Sequence, residues 1–123
     1  MHVLVVDDSQ TIRLLLREQL NTLGCEVTEA GDGHQALKRL KKMPQVDLVL
    51  VDWNMPEMDG ISFVRAVRAE SAYATLPLMM VTTNAEFAQI TLALEAGANE
   101  YIMKPFTEDI LREKLELLGF LQG

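Results

Sequence analysis

LVLVDWNMPEMDG, residues 48–60, decides how the chain is read. An apolar run reaches Asp52 and breaks at once into Trp53, Asn54, Met55 and Pro56, with Asp59-Gly60 close behind. A strand normally leaves the core through Gly, Asn or Ser. Here its last position carries a carboxylate, and a proline-stiffened loop follows.

Working outward, the run DLVLV (47–51) has four counterparts: HVLVV (2–6), CEVTE (25–29), LPLMMV (76–81) and EYIMK (100–104). Between them the spacing turns helical. Ile12, Leu15, Leu16, Leu20 and Leu23 trace one helix face. Leu37 with Leu40, then Ile61, Val64 and Val67, then Phe87, Ile90 and Leu94, and lastly Leu111, Leu115 and Leu118 repeat the pattern. Gly24 and Gly97 stand where left-handed caps end helices, and Thr107 with Glu108 and Asp109 reads as a capped start. Strict alternation of strand and helix predicts parallel strands joined by right-handed crossovers. The fold class is therefore α/β, an open doubly wound five-stranded sheet. A closed eight-unit barrel needs about twice this length. No linker or repeat interrupts residues 1–123, which read as a single domain.

Composition narrows the function classes. A formal charge of −7 over 123 residues disfavours nucleic acid and anionic membrane as main partners and permits basic proteins and divalent cations. Cys25 is alone, so no internal disulfide is expected, and a cytoplasmic setting is the simple reading. No run of residues is long enough to span a membrane, and the apolar start lacks a basic leader. Gly31-Asp32-Gly33 follows the second strand and lacks a third glycine, so the dinucleotide fingerprint fails. His2 and His34 have no ligating neighbours, which argues against a transition metal. Lys38, Arg39, Lys41 and Lys42 read as the solvated face of the second helix, and Met79, Met80 and Met103 as core filling.

In open α/β sheets, ligands sit beyond the carboxyl ends of the strands. Four such ends carry chemistry: Asp7-Asp8 after the first strand, Asp52 at the third, Thr82-Thr83 at the fourth and Lys104-Pro105 at the fifth. Three close carboxylates repel, and a proton or a cation relieves them; an oxygen-only donor set suits Mg²⁺. Any one Asp after a strand also reads as a helix cap or turn former. Independent caps, however, do not require a loaded residue at each of several strand ends.

Together LVVDDS, LVDWNMPEMDG, VTT and YIMKPF resemble, in order and spacing, the response-regulator receiver domains of two-component signalling. Trp53-Asn54-Met55-Pro56 and the ending at a fifth helix resemble the family's single-domain chemotaxis regulators. The resemblance implies a flavodoxin-like sheet of order 2-1-3-4-5. It implies a phosphoryl group accepted on Asp52 from a histidine kinase, with Mg²⁺ held by Asp8 and Asp52, by Asp7 through water and by the Asn54 backbone carbonyl. Lys104 and Thr82 would hold phosphoryl oxygens, Pro105 would be cis, and Gly60 would shape the loop. Tyr101 would change rotamer with Thr82, although it also reads as a half-buried aromatic on an edge strand. Output would pass through the fourth helix, fifth strand and fifth helix of a monomer to the flagellar motor switch or another target, with a phosphatase as a further partner. Asn54, Thr83 and Asn84 would tune the phosphoryl lifetime; Thr83 stands where the family usually has a smaller residue.

Three other readings remain at this level. The chain could serve as a phosphate sink or relay, or as a phosphate-independent scaffold. A haloacid-dehalogenase-like phosphohydrolase also uses an aspartyl nucleophile, but it needs a second acid two residues on, where Asn54 stands. The chain is then no enzyme beyond the chemistry of its own Asp52.

Overall fold

The computed structural model describes residues 1–83 and 87–121. Five strands, β1 (His2–Val6), β2 (Glu26–Ala30), β3 (Leu48–Asp52), β4 (Leu78–Thr82) and β5 (Glu100–Met103), alternate with α1 (Gln10–Thr22), α2 (Gly33–Lys42), α3 (Gly60–Ala69), α4 (Phe87–Ala96) and α5 (Glu108–Leu117). All pairings are parallel, in the order β2-β1-β3-β4-β5. This is the expected doubly wound, flavodoxin-like sheet.

The two-residue period of a strand splits its apolar side chains between two layers. Leu4, Val6, Val49, Val51, Leu78 and Met80 face α2, α3 and α4, where Leu40, Phe63, Val64, Val67 and Ala93 complete one core. Val3, Val5, Leu48, Leu50, Met79, Val81 and Ile102 face α1 and α5, meeting Leu16, Leu20, Leu111 and Leu115. Phe63 is fully buried, a contribution of about 1.5–3 kcal/mol.

Side-chain caps set the helix starts: Ser9 accepts from the Ile12 N–H, Asp32 from Gln35, Asp59 from Ser62 and Thr107 from Ile110. Gly24 and Gly97, at φ +87° and +121°, close α1 and α4 as expected. Lys38, Arg39, Lys41 and Lys42 are all exposed.

Several expectations need correction. Met103 is not core filling: it is 49% exposed at the end of β5. Leu15 and Leu94 are also exposed, and Leu16 and Ala93 take the buried positions beside them. The second strand starts at Glu26, because the Cys25 N–H still bonds the Leu20 carbonyl in the turn that ends α1. The fourth starts at Leu78, after Pro77, which has no N–H to give a ladder. The third runs one residue further than expected, so that Asp52 lies within it, and the fifth stops at Met103. Asn84 and the side chain of Phe87 lie outside the described residues.

Candidate functional site

Register alone brings the chemistry together. Val6 pairs with Val51, so Asp7 and Asp52 are level on adjacent strands; Thr82 pairs with Met103, so Thr83 and Lys104 are level on the next pair. Parity then sorts the side chains. Asp7, Asp52 and Lys104 continue the rows of Val3 and Val5, Leu48 and Leu50, and Ile102, which face α1 and α5. Thr82 and Tyr101 lie in the opposite row, with Met80 beside Tyr101.

The geometry agrees. Carboxylate oxygens of Asp7, Asp8 and Asp52 lie within 4.8 Å of one another, with Asp7 and Asp52 buried and Asp8 exposed. The Lys104 ammonium donates to Asp7 Oδ2 and to Asp52 Oδ1, each at 3.2 Å. One ammonium against three carboxylates leaves the cluster negative. Burial pushes the Asp52 carboxyl above its usual range, the Asp7 charge adds to this, and Lys104 opposes it. Burial alone would lower the Lys104 ammonium, but the charges of Asp52 and Asp7 outweigh it and the net direction is up. These directions are compatible, because Asp52 faces two other carboxylates and Lys104 faces only opposite charge. An oxygen-only set with surplus negative charge and an exposed member fits a hard divalent cation.

The supporting loop is tightly built. The Gly60 N–H donates to the Trp53 carbonyl at 2.9 Å. A Cβ on Gly60 would lie 2.6 Å from the Asp52 carbonyl oxygen, so only glycine fits there. Glu57 takes φ +67°, while the Met58 N–H reaches back to the Pro56 carbonyl at 2.7 Å. Asn54 is exposed two residues beyond Asp52, and Thr83 is exposed beside buried Thr82. The Lys104–Pro105 bond is cis, and the Lys104 N–H donates to the Thr82 carbonyl at 2.7 Å. Tyr101 is half-buried, with the Lys114 ammonium 4.4 Å from its ring centre.

Sequence reasoning missed one contributor, Arg13, whose Nη1 donates to the Asp7 carbonyl at 2.6 Å. No motif marks it, since it acts on backbone from six residues away. A groove of about 540 Å³ that includes Met43, Val46, Tyr73 and Pro77 does not contain the site; it lies toward the opposite ends of the strands.

Residues 3–116 match the family model for the response regulator receiver domain. The chain belongs to that family. This receiver is 48% identical over 125 aligned residues to a chemotaxis protein CheY homolog of Campylobacter jejuni, covering 100% of its own chain and 96% of the relative. It superimposes on the chemotaxis protein CheY4 of Vibrio cholerae with a TM-score of 0.89 and 37% identity, covering 94% and 96% of the two chains. A third relative is the receiver domain of the sensor histidine kinase PA1611 from Pseudomonas aeruginosa, described with a magnesium ion coordinated in its active-site cleft. Its TM-score is 0.85, with 31% identity and 94% of each chain covered. The receiver is thus a phosphorylation-activated signalling switch of chemotaxis, a signalling regulator with an acidic cluster suited to a metal ion. Among the described residues no helix is long and apolar enough to cross a membrane.

Proposed function

We propose that residues 1–123 form a single cytoplasmic, monomeric receiver domain that takes a phosphoryl group from a histidine kinase onto Asp52 and passes the signal on by protein contact. The observation that carries this reading is the Asp7, Asp8 and Asp52 oxygen cluster with Lys104 bridging two of its members. An Asp52 carboxylate oxygen attacks phosphorus, the bond to the donor imidazole nitrogen breaks, and the leaving imidazole takes up a proton. Asp8, Asp52 and the Asn54 carbonyl would hold Mg²⁺, with Asp7 reaching it through water, and the ion would supply positive charge beside the transferring oxygens. Lys104 and Thr82 hold two of the phosphoryl oxygens. Catalysis extends only to this transfer and to hydrolysis of the same acyl phosphate, at a rate tuned by Asn54, Thr83 and Asn84.

The added charge draws Thr82 toward the phosphoryl group, and Tyr101, in the same side-chain row, responds. Among the described residues, five of the seven exposed large apolar side chains (Leu92, Leu94, Met103, Ile110 and Leu117) belong to α4, β5 and α5. They offer the contact surface for the flagellar motor switch, and a phosphatase is a further partner of the phosphorylated form.

Incubation with Mg²⁺ and acetyl phosphate, followed by intact mass and peptide mapping, tests this reading. A stoichiometric adduct on Asp52, absent from Asp52→Asn, supports it. No adduct, together with target binding indifferent to Asp52→Asn, overturns it in favour of a scaffold.

A further inference from the structure

The turn after β1 is held from three sides. The Asp7 N–H completes the ladder to the Ala30 carbonyl at 3.1 Å, and Asp7 Oδ1 accepts the Ser9 N–H at 2.8 Å. The Asp7 carbonyl, beyond the end of β2, has no strand neighbour to bond. Instead it accepts the short 2.6 Å contact from Arg13 Nη1. The Arg13 guanidinium is itself held: Nε donates to Glu29 Oε1 at 3.2 Å, and the other Glu29 oxygen accepts from Arg17 at 2.8 Å. The Arg13 side chain is only 18% exposed.

A peptide unit is planar, so fixing the Asp7 carbonyl oxygen also fixes the Cα of Asp8. Asp8 is the exposed member of the acidic cluster and has no hydrogen bond of its own among the described residues that would anchor its carboxylate. Its position therefore depends on its backbone. We propose that Arg13 is a positioning residue of the metal site, holding the Asp7–Asp8 peptide so that the Asp8 carboxylate is presented to a divalent cation. This rests on the reading of the site given under Proposed function. Glu29 completes the device by locking the planar fork of the guanidinium, a geometry that lysine cannot reproduce.

Two roles for Arg13 predict opposite signs. As a mere positive charge near the cluster, it repels the metal, and its removal tightens binding. As a clamp, it presents the ligands, and its removal weakens binding even though a repulsive charge has gone. Changes in groups that orient metal ligands cost about 10–100-fold in affinity.

The test is titration of the full chain with MgCl₂, followed through Trp53, the single tryptophan and the neighbour of Asp52, with calorimetry as a second readout. Arg13→Met is expected to raise the Mg²⁺ dissociation constant about tenfold or more. Arg13→Lys, with its charge restored but its fork lost, falls between Arg13→Met and the parent. Glu29→Gln, which leaves both arginines in place, shows a smaller loss and guards against a variant that fails to fold. Unchanged or tighter binding by a folded Arg13→Met variant overturns the clamp. Absence of Mg²⁺ binding by the parent chain at millimolar concentration overturns the metal-site reading itself, and the clamp with it.

Discussion

Replacing Lys104 by Met tests the electrostatics of the site directly. The methionine keeps an aliphatic stem among Ile12, Leu15, Leu16, Pro105 and Phe106, so the change removes mainly charge. At an effective dielectric constant of about 20, each contact made by the ammonium is worth roughly 5 kcal/mol before desolvation is counted. Desolvation of Lys104 offsets much of this, and removing one partner of a buried pair costs about 3–5 kcal/mol in practice. Lys104 keeps 17% side-chain exposure, which favours the lower figure, about 3 kcal/mol. For a chain of this size that lowers the melting temperature by about 12 °C. The pH dependence has a definite sign. The folded-state pKa of Lys104 is raised, so its contribution is complete below 10.5 and is lost as pH rises through the folded value. The deficit of Lys104→Met should be flat around neutrality and shrink under strongly alkaline conditions. It should shrink again in acid, where Asp52 takes up a proton, and on addition of Mg²⁺, which replaces the missing charge. Thermal melts by circular dichroism in EDTA and in Mg²⁺, across pH, measure all of this. An unchanged melt at pH 7.5 in EDTA, or a loss equally large in acid and in Mg²⁺, would refute the reasoning.

Asp52→Asn should have the opposite effect. The folded pKa of Asp52 is raised, so its ionised form penalises the fold above that pKa, and the penalty fades as pH falls through it toward 3.8. In EDTA the variant should melt above the parent at neutral pH and converge with it in acid; a lower neutral melt counts against the assignment. Gly60→Ala places a Cβ 2.6 Å from the Asp52 carbonyl oxygen and should cost about 1–3 kcal/mol, read as a lower urea midpoint at unchanged slope. Glu57→Gly relieves a left-handed backbone worth about 1–2 kcal/mol and gives back about 0.5–1 in chain entropy. A small rise in urea midpoint is expected, and a fall would show that the Glu57 side chain holds the turn.

The sheet was legible because parallel strands covered on both faces spell continuous apolar runs, and Gly24 and Gly97 mark where helices stop. What the sequence concealed is which apolar residue of a neighbouring pair goes inward. In α4, FAQITLALEA, apolar residues occur nearly all round the helix, so spacing does not distinguish Leu94 from buried Ala93. Leu15 and Leu16 pose the same ambiguity in α1. Met103 was misplaced because an edge strand is covered on fewer sides than its composition suggests.

The site shows a similar division. Asp32, Asp52 and Asp59 are the same residue type near the ends of the same kinds of element, yet two of them cap helices and one sits buried beside Asp7 and Lys104. Local sequence cannot separate these roles. Parallel register can, because it makes Asp7 and Asp52 level once β1 and β3 are known to be neighbours. Side-chain parity adds what neither composition nor motif supplies, by placing the charged group toward α1 and α5 and Thr82 with Tyr101 on the other face. A charge added to Asp52 would therefore face Lys104 on its own side. Under the proposed mechanism it would reach the α4 side through Thr82, the one residue among those proposed for phosphoryl contact that lies in the same row as Tyr101.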